Sequence, residues 1–260
     1  MSKRPRLLFV HGSVVNAELT WAAQKPLTDR FDLVLPNRRG FPPGPDVDHV
    51  DFEDEAIWFE QFLDAGSIAG QAGDARREDP GASGAGWPET HLVGHSYGGV
   101  ISLLLAAANP ELVRSLTVIE PPAFGIAQGV PAVDEFIERI TVQWHEGPRD
   151  PATFLNNFLS HVGSSIPPGN FTPELLQGAR TLMVERLPSE AVIPFDALAA
   201  APFPKLVVSG GHHPAFDAVC DVLEERLGAE RVVLQGAGHS VQRLGEPFNT
   251  VLADFVEHAE

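Results

Sequence analysis

The chain has 260 residues, of which 43% are hydrophobic, and a formal net charge of −17 at pH 7. This length predicts one large domain, with or without an inserted segment, and the composition predicts a sizeable buried core. The negative charge argues against nucleic acid or an anionic membrane surface as a partner. No run reaches the roughly 18–20 apolar residues of a membrane span, and no cleavage-site pattern follows the basic start of the chain. A single cysteine, Cys220, rules out an intramolecular disulfide and favours a cytoplasmic protein.

The first half of the chain alternates short apolar runs with helical patterns. Residues 6–10 and 31–35 predict buried strands, and a helix is expected around residues 18–30 between them. A second helix is predicted over residues 51–64, with an apolar stripe made of Phe52, Ala56, Phe59 and Leu63. The acidic residues between 46 and 60 are expected on its solvated face, since they show no metal-ligand pattern with His or Cys. Residues 66–88, rich in Gly, Ala, Ser and Asp, predict a mobile surface insertion.

The second half contains a long stretch without strand signals. A strand predicted over residues 115–119 is followed by helix-start patterns, in which a capping residue precedes a proline, at Asp150-Pro151 and Thr172-Pro173. We expect residues 123–202 to form a helical lid inserted into a core of residues 1–122 and 203–260. Strands resume at residues 205–209 and 231–235, with helices over 214–227 and 242–258. This alternation predicts a mainly parallel sheet covered by helices on both faces.

The most informative stretch is Gly94-His95-Ser96-Tyr97-Gly98, a G-x-S-x-G pattern. A short apolar strand precedes it and an apolar helical run follows it, which is the context that this pattern needs. Such a turn holds Ser96 in a strained conformation and exposes its hydroxyl at the end of the sheet. Gly94 and Gly98 are expected where the strand and helix backbones pass too closely for a Cβ atom.

Three motifs together resemble the α/β-hydrolase fold superfamily. They are His11-Gly12 after the first strand, the serine turn with its additional Gly99, and Gly236-Ala237-Gly238-His239 after the last strand. Because this chain begins at the strand that carries His-Gly, the resemblance implies about six strands, without the first strands of the family. It also implies an active site on loops beyond the carboxyl ends of the strands, with neither a cofactor nor a metal.

The resemblance and the residue types suggest a catalytic triad. Ser96 is the expected nucleophile, and His239 is the expected base that takes its proton. The third member must be a carboxylate that orients the histidine. The position where the family usually has aspartate holds His213 here, so we favour Glu120, at the end of the preceding strand. Asp217 is the alternative acid.

An acyl-transfer reaction also needs backbone N–H donors for the oxyanion. The resemblance implies the N–H groups of Tyr97 and Ser13, with Val14 as an alternative to Ser13. Arg38-Arg39 matches a basic turn common in the family, and Arg39 is expected to be structural, with carboxylate recognition as the alternative. Glu120 could instead pair with one of these arginines.

Eight residues are candidates for the substrate pocket, although His11 could instead shape its loop and the lid residues could instead form the lid core. They are His11, Val14, Trp21 and Phe41 in the core, and Trp144, Phe154, Phe158 and Met183 in the lid.

The favoured function is a serine hydrolase that cleaves a carboxylic ester or lactone of a medium-sized, mostly hydrophobic molecule through an acyl-enzyme. A C–C bond hydrolase or a thioesterase of the same fold remains an alternative. So does a non-hydrolytic lyase, a cofactor-free oxygenase or a ligand receptor. The expected partner is the small-molecule substrate, and the expected assembly is a monomer or homodimer.

Overall fold

The computed structural model describes residues 4–63, 90–164 and 170–259. In this part of the chain six parallel strands form one sheet, in the order β2-β1-β3-β4-β5-β6. The strands are β1 (Arg6–Val10), β2 (Asp32–Val34), β3 (Thr90–His95), β4 (Val113–Ile119), β5 (Lys205–Ser209) and β6 (Glu230–Val233). The predicted parallel sheet of about six strands is confirmed.

The central strands are apolar because helices cover both faces of the sheet. All residues of β1, β3 and β5 are buried. Alternate residues of β1 enter two different cores, with Leu8 and Val10 on one side of the sheet and Leu7 and Phe9 on the other. The prediction of a buried strand over residues 31–35 was wrong in extent and burial: β2 has only three residues and is partly exposed, because it lies at the sheet edge.

Nine α-helices occur in the described residues. They are α1 (Ala17–Thr20), α2 (Phe52–Glu60), α3 (Tyr97–Ala108), α4 (Pro131–Glu146), α5 (Pro151–His161), α6 (Pro173–Met183), α7 (Phe195–Ala200), α8 (Pro214–Leu227) and α9 (Glu246–His258). The four residues predicted as the stripe of α2 are all buried, although Leu63 lies beyond the end of the helix. None of these helices is both long and apolar enough to cross a membrane.

Two predicted helices are shorter than their sequence patterns suggested. The helix expected around residues 18–30 is α1 followed by a 3-10 helix, Ala22–Asp29, in which Pro26 lacks the N–H that an α-helix would use. The closing helix is likewise divided into a 3-10 helix, Val241–Leu244, and α9, with Gly245 at a φ of 71° between them.

The described residues between β4 and β5 are helical, as their helix-start patterns predicted. Asp150 caps α5 by accepting a hydrogen bond from the Thr153 N–H at 2.9 Å, and Thr172 caps α6 through the Leu175 N–H at 3.2 Å. These helices form the aromatic surroundings of Ser96 described below. The predicted insertion at residues 66–88 lies outside the described residues.

Candidate active site

Ser96 occupies the sharp turn between β3 and α3. Its backbone has φ 53° and ψ −127°, an arrangement that is strained for a residue with a side chain. A Cβ atom on Gly94 would lie 2.5 Å from the carbonyl oxygen of Gly98, and a Cβ on Gly98 would lie 2.3 Å from that of Val10. These contacts explain why glycine is needed on both sides of the serine.

His239 reaches Ser96 from the loop that follows β6. Its Nε2 atom lies 3.0 Å from the Ser96 Oγ, which is hydrogen-bonding distance. Two residues of the loop, Gly236 and Gly238, have positive φ angles of 82° and 63°, which favour glycine. The imidazole also packs against Phe216, with ring centroids 4.6 Å apart.

Glu120 lies behind His239, at the end of β4. Its buried carboxylate places Oε2 3.5 Å from the His239 Nδ1, and its Oε1 accepts a hydrogen bond from the Gly210 N–H at 2.6 Å. Burial by itself would raise the pKa of this carboxyl. Interactions with His212, His239 and the Gly210 N–H outweigh burial and lower the pKa to about 2. Glu120 is therefore ionised at neutral pH.

Asp217, the alternative acid, is engaged elsewhere. It lies in the first turn of α8, where it accepts a hydrogen bond from the Ser209 hydroxyl at 2.7 Å. The same oxygen is 3.3 Å from a guanidinium nitrogen of Arg231. Glu120, not Asp217, is thus the carboxylate that the structure brings to His239.

The loop after β1 borders Ser96. A Cβ on Gly12 would lie 2.8 Å from the Cβ of Ser96, so the backbone of this loop passes directly beside the proposed nucleophile. Ser13 and Tyr97, the residues predicted to supply oxyanion donors, line the same cavity as Ser96. Tyr97 begins α3, where the first N–H groups have no partner within the helix.

A buried ion-pair network supports this loop, and no sequence motif indicates it. Glu185 accepts a hydrogen bond from the Ser13 hydroxyl at 2.5 Å and pairs with Arg38 at 2.8 Å. Arg39 pairs with Glu55 at 2.6 Å. The two arginines therefore contact other carboxylates, and the alternative in which one of them pairs with Glu120 finds no support. No local pattern marks Glu185, which lies 172 residues from Ser13.

Two cavities meet at Ser96 and His239. The smaller one, of about 30 Å³, is mainly apolar, and its walls include Phe124, Phe136, Ile140, Trp144, Phe158 and Phe216. The larger one, of about 260 Å³, has a more mixed lining that includes Val14, Thr20, Phe158, Leu175, Gln242 and Arg243. Helices between β4 and β5 thus supply much of the apolar surface around the serine.

The structure brings some of the predicted pocket residues to these cavities and leaves others elsewhere. Val14, Trp144 and Phe158 line one or both of them. The remaining candidates lie outside both linings: His11, Trp21, Phe41, Phe154 and Met183. Trp21 and Phe41 are instead core side chains that stack against Phe9 and His11, and Phe154 packs behind Trp144.

His11 is better described as a loop-shaping residue than as a pocket residue. Its ring is fully buried, and its Nε2 accepts a hydrogen bond from the Arg38 N–H at 2.8 Å. Burial, with the nearby Arg38 charge, lowers the pKa of His11 to about 3. His95 next to the serine is also buried, and its Nε2 lies 3.0 Å from the His239 carbonyl oxygen. Burial, followed by the His239 charge, lowers the pKa of His95 to about 3.

Several site residues escaped the sequence analysis. Phe124, Phe136 and Phe216 belong to apolar patterns that look the same in a core as in a pocket. His212 was passed over beside His213, yet it is His212 whose ring faces Glu120, whereas His213 caps α8. The adjacent histidines His212 and His213, directly after β5, were the available signal.

Within the described ranges, one group of side chains has the composition of a metal site. Glu120, His212 and His239 each offer a ligand atom, and these atoms lie within 4.8 Å of one another. The Nδ1 atoms of both histidines lie at ion-pair distance from the Glu120 carboxylate, at 3.5 Å for His239 and 3.6 Å for His212. The arrangement can therefore serve proton transfer without an ion.

The fold and this site define a class of protein, and comparison with known sequences identifies the family. A profile of the Alpha/beta hydrolase family matches residues 7–250. The chain therefore belongs to the alpha/beta hydrolase family, as the three motifs suggested.

Individual proteins resemble this chain either at low sequence identity over its whole length or over a short part of it. An esterase from Thermogutta terrifontis has a TM-score of 0.65 and 18% identity, over 100% of this chain and 92% of that one. The enol-lactonase from Burkholderia xenovorans LB400 has a TM-score of 0.61 and 16% identity, over 98% of this chain and 92% of that one. At these identities the likeness shows the fold. A probable lysophospholipase of Arabidopsis thaliana, BODYGUARD 1, is 36% identical over 76 residues, which are 29% of this chain and only 16% of that protein.

Proposed function

We propose that the protein is a serine hydrolase that cleaves carboxylic esters or lactones through an acyl-enzyme. The observation that carries this proposal is the 3.0 Å approach of the His239 Nε2 to the Ser96 Oγ, with the ionised Glu120 carboxylate behind the same imidazole. A serine hydroxyl needs an adjacent base to become a nucleophile, and the base needs a carboxylate to stabilise its charged form.

The proposed reaction has two halves. The Ser96 oxygen attacks the carbonyl carbon while the His239 Nε2 takes the hydroxyl proton, and the N–H groups of Ser13 and Tyr97 stabilise the oxyanion. His239 then gives its proton to the departing alcohol oxygen, which leaves an acyl group on Ser96. A water molecule, deprotonated by His239, releases the carboxylic acid and restores the serine.

The two cavities support a substrate with two unlike parts. One part is a short apolar group held against the aromatic walls of the smaller cavity. The other part enters the larger cavity, which has polar residues such as Thr20 and Arg243 at its wall. The described helices within residues 123–202 act as the lid, since they contribute Phe136 and Trp144 to the smaller cavity and Phe158 to both. Together the volumes suit a small to medium-sized molecule.

The test is the turnover of p-nitrophenyl esters of increasing acyl length, beside a panel of lactones, by the wild-type protein and by Ser96→Ala. We expect hydrolysis of the shorter esters, reduced at least about 1000-fold in the variant. Ser102→Ala is a suitable control, because Ser102 is a buried serine in α3 that lines neither cavity. Equal turnover by the Ser96 variant and the wild type would exclude the proposal.

The related structures motivate the inclusion of lactones. One of them is described as an enol-lactonase and another as an esterase. An ester and a lactone use the same attack by serine and differ in whether the alcohol stays attached to the acyl group. A ratio of kcat/KM values for a lactone and an open ester of similar size separates the two activities.

A further inference from the structure

The Glu120 carboxylate lies between two imidazoles. On one side Oε2 faces the Nδ1 of His239 at 3.5 Å, and on the other Oε1 faces the Nδ1 of His212 at 3.6 Å. The Gly210 N–H completes the set of contacts by donating to Oε1 at 2.6 Å. The triad mechanism accounts for His239 and leaves His212 without a function.

The position of His212 is determined by the loop after β5. Gly211, at a φ of 61°, turns the chain so that the next side chain enters the site. The His212 side chain is 13% exposed, and its Nδ1 lies 3.6 Å from the Glu120 Oε1, which is longer than an ordinary hydrogen bond. A largely buried imidazole is costly unless a charge beside it provides compensation.

The surroundings of His212 provide this charge mainly through Glu120. From α8 the ring faces His213 and Phe216, with the Asp217 carboxylate further away. From the loop after β6 it faces His239 at a centroid distance of 6.0 Å, and after α5 it meets Val162 and Gly163. Burial alone lowers the pKa of His212, but the Glu120 carboxylate, together with the Val162 backbone and Asp217, outweighs this effect, so the pKa is raised.

We propose that His212 is a positioning residue for the hydrolysis proposed above, which holds the Glu120 carboxylate in line with His239 and regulates how much negative charge His239 feels. When His212 carries a proton, it shares the carboxylate charge, and less of that charge stabilises the His239 imidazolium that forms in the reaction. When His212 loses that proton, the full charge acts on His239. The rate should therefore depend on two imidazole ionisations, although only one imidazole contacts the nucleophile.

The inference rests on the proposed function, and three variants test it. His212→Leu removes the contact, and we expect kcat on a short p-nitrophenyl ester to fall about 10-fold with KM changed less than about twofold. His212→Asn keeps an N–H donor near the position of Nδ1 but does not titrate. It should restore most of kcat while the second ionisation disappears from the pH profile. His213→Asn, at the cap of α8, should preserve both the wild-type kcat and the second ionisation in the pH profile.

A measurement independent of turnover follows the His212 ring by NMR. Its titration midpoint should move to lower pH in Glu120→Gln, because the neutral amide no longer favours the imidazolium.

The outcomes separate this inference from the proposed function. If Ser96→Ala abolishes turnover but His212→Leu keeps the wild-type kcat and pH profile, the role of His212 is wrong and the hydrolase proposal stands. A His212 midpoint that does not move in Glu120→Gln would also overturn it. If Ser96→Ala keeps full turnover, the hydrolase proposal itself fails. If His212→Leu and His212→Asn lose the same fraction of kcat, an N–H group facing Glu120 does not position the carboxylate, and the proposed role is wrong.

Discussion

Glu120 combines an unusual backbone with a buried charge. Its φ of 48° is rare for a residue with a side chain and costs on the order of 1 kcal/mol. Its N–H still pairs with the Val208 carbonyl at 3.0 Å, so β4 stays in register with β5 while the side chain turns toward His239. The strain is local and lies where the proposed mechanism needs a carboxylate.

The acid assignment predicts a large difference between two amide substitutions. Glu120→Gln keeps the shape but removes the charge that stabilises the His239 imidazolium, and we expect kcat to fall by a factor of about 1000 to 10,000. The matched control Asp217→Asn should remain within a few-fold of wild type, because Asp217 pairs with Ser209 and Arg231. Steady-state kinetics on one ester checks both, and the reverse result would identify Asp217 as the acid.

Glu120 also gives a prediction for acid stability. Its folded pKa of about 2 is below the ordinary value of 4.5, so the ionised carboxylate stabilises the fold above pH 4.5. This contribution, about 3 kcal/mol, is lost as the pH falls toward 2. Urea unfolding should therefore show a stability difference between wild type and Glu120→Gln at pH 6 that shrinks at pH 3. A difference that does not change with pH would argue against the low pKa.

At the scale of elements, the turn between β3 and α3 depends on the absence of a side chain. In Gly98→Ala the new Cβ would approach the Val10 carbonyl oxygen to 2.3 Å and that of His11 to 2.5 Å, and because both are backbone atoms no side-chain movement can relieve the contact. We expect a loss of about 3 kcal/mol in the free energy of unfolding. Gly129→Ala meets nothing within 4 Å and should cost only about 1–2 kcal/mol for its positive φ. Equal losses in urea unfolding would show that crowding at Gly98 is unimportant.

Helix α5 sets the width of the apolar cavity through Phe158. Phe158→Ala should widen the opening between the two cavities and shift the preferred acyl length upward, because Phe158 lines both. The control Phe62→Ala removes an equally half-buried ring that contacts Trp58, outside both linings. The measurement is the ratio of kcat/KM for hexanoyl and acetyl esters. An unchanged ratio in Phe158→Ala would show that this cavity does not determine the preferred acyl length.

Features set by local interactions could be predicted from the sequence, and features set by long-range contacts could not. The strand β5 and the helix α8 begin and end where the sequence predicted, because apolar runs, a proline start and a glycine end are local signals. The short β2 was misjudged, since position at a sheet edge is decided by topology. The contacts of Ser13 with Glu185 and of Glu120 with His212 join distant parts of the chain, and no local pattern specifies them.

At the scale of the whole molecule, buried neutral histidines couple stability to pH. His11 and His95 have folded pKa values of about 3, so the unfolded chain binds two protons near pH 5 that the folded chain does not. Each of these two histidines lowers the free energy of unfolding by about 1.4 kcal/mol per pH unit as the pH falls below 6.5. Glu185, whose pKa burial raises, acts in the opposite direction and offsets part of this loss.

The free energy of unfolding should accordingly fall by at least about 1 kcal/mol per pH unit between pH 6 and 4.5. Urea denaturation at fixed ionic strength measures this slope. His95→Asn should reduce the slope, since it removes one of the two imidazoles whose pKa burial lowers to about 3. Stability that is constant over this range would mean that these histidines are protonated in the folded state.

The central claim is that Ser96 carries the acyl group during ester hydrolysis. Its most direct test is intact mass spectrometry of the protein quenched during turnover of a short p-nitrophenyl ester, followed by peptide mapping. The account predicts one added acyl group on the peptide that contains Ser96, and no adduct in Ser96→Ala. An acyl group on a different residue, or full turnover by the protein lacking the Ser96 hydroxyl, would contradict it.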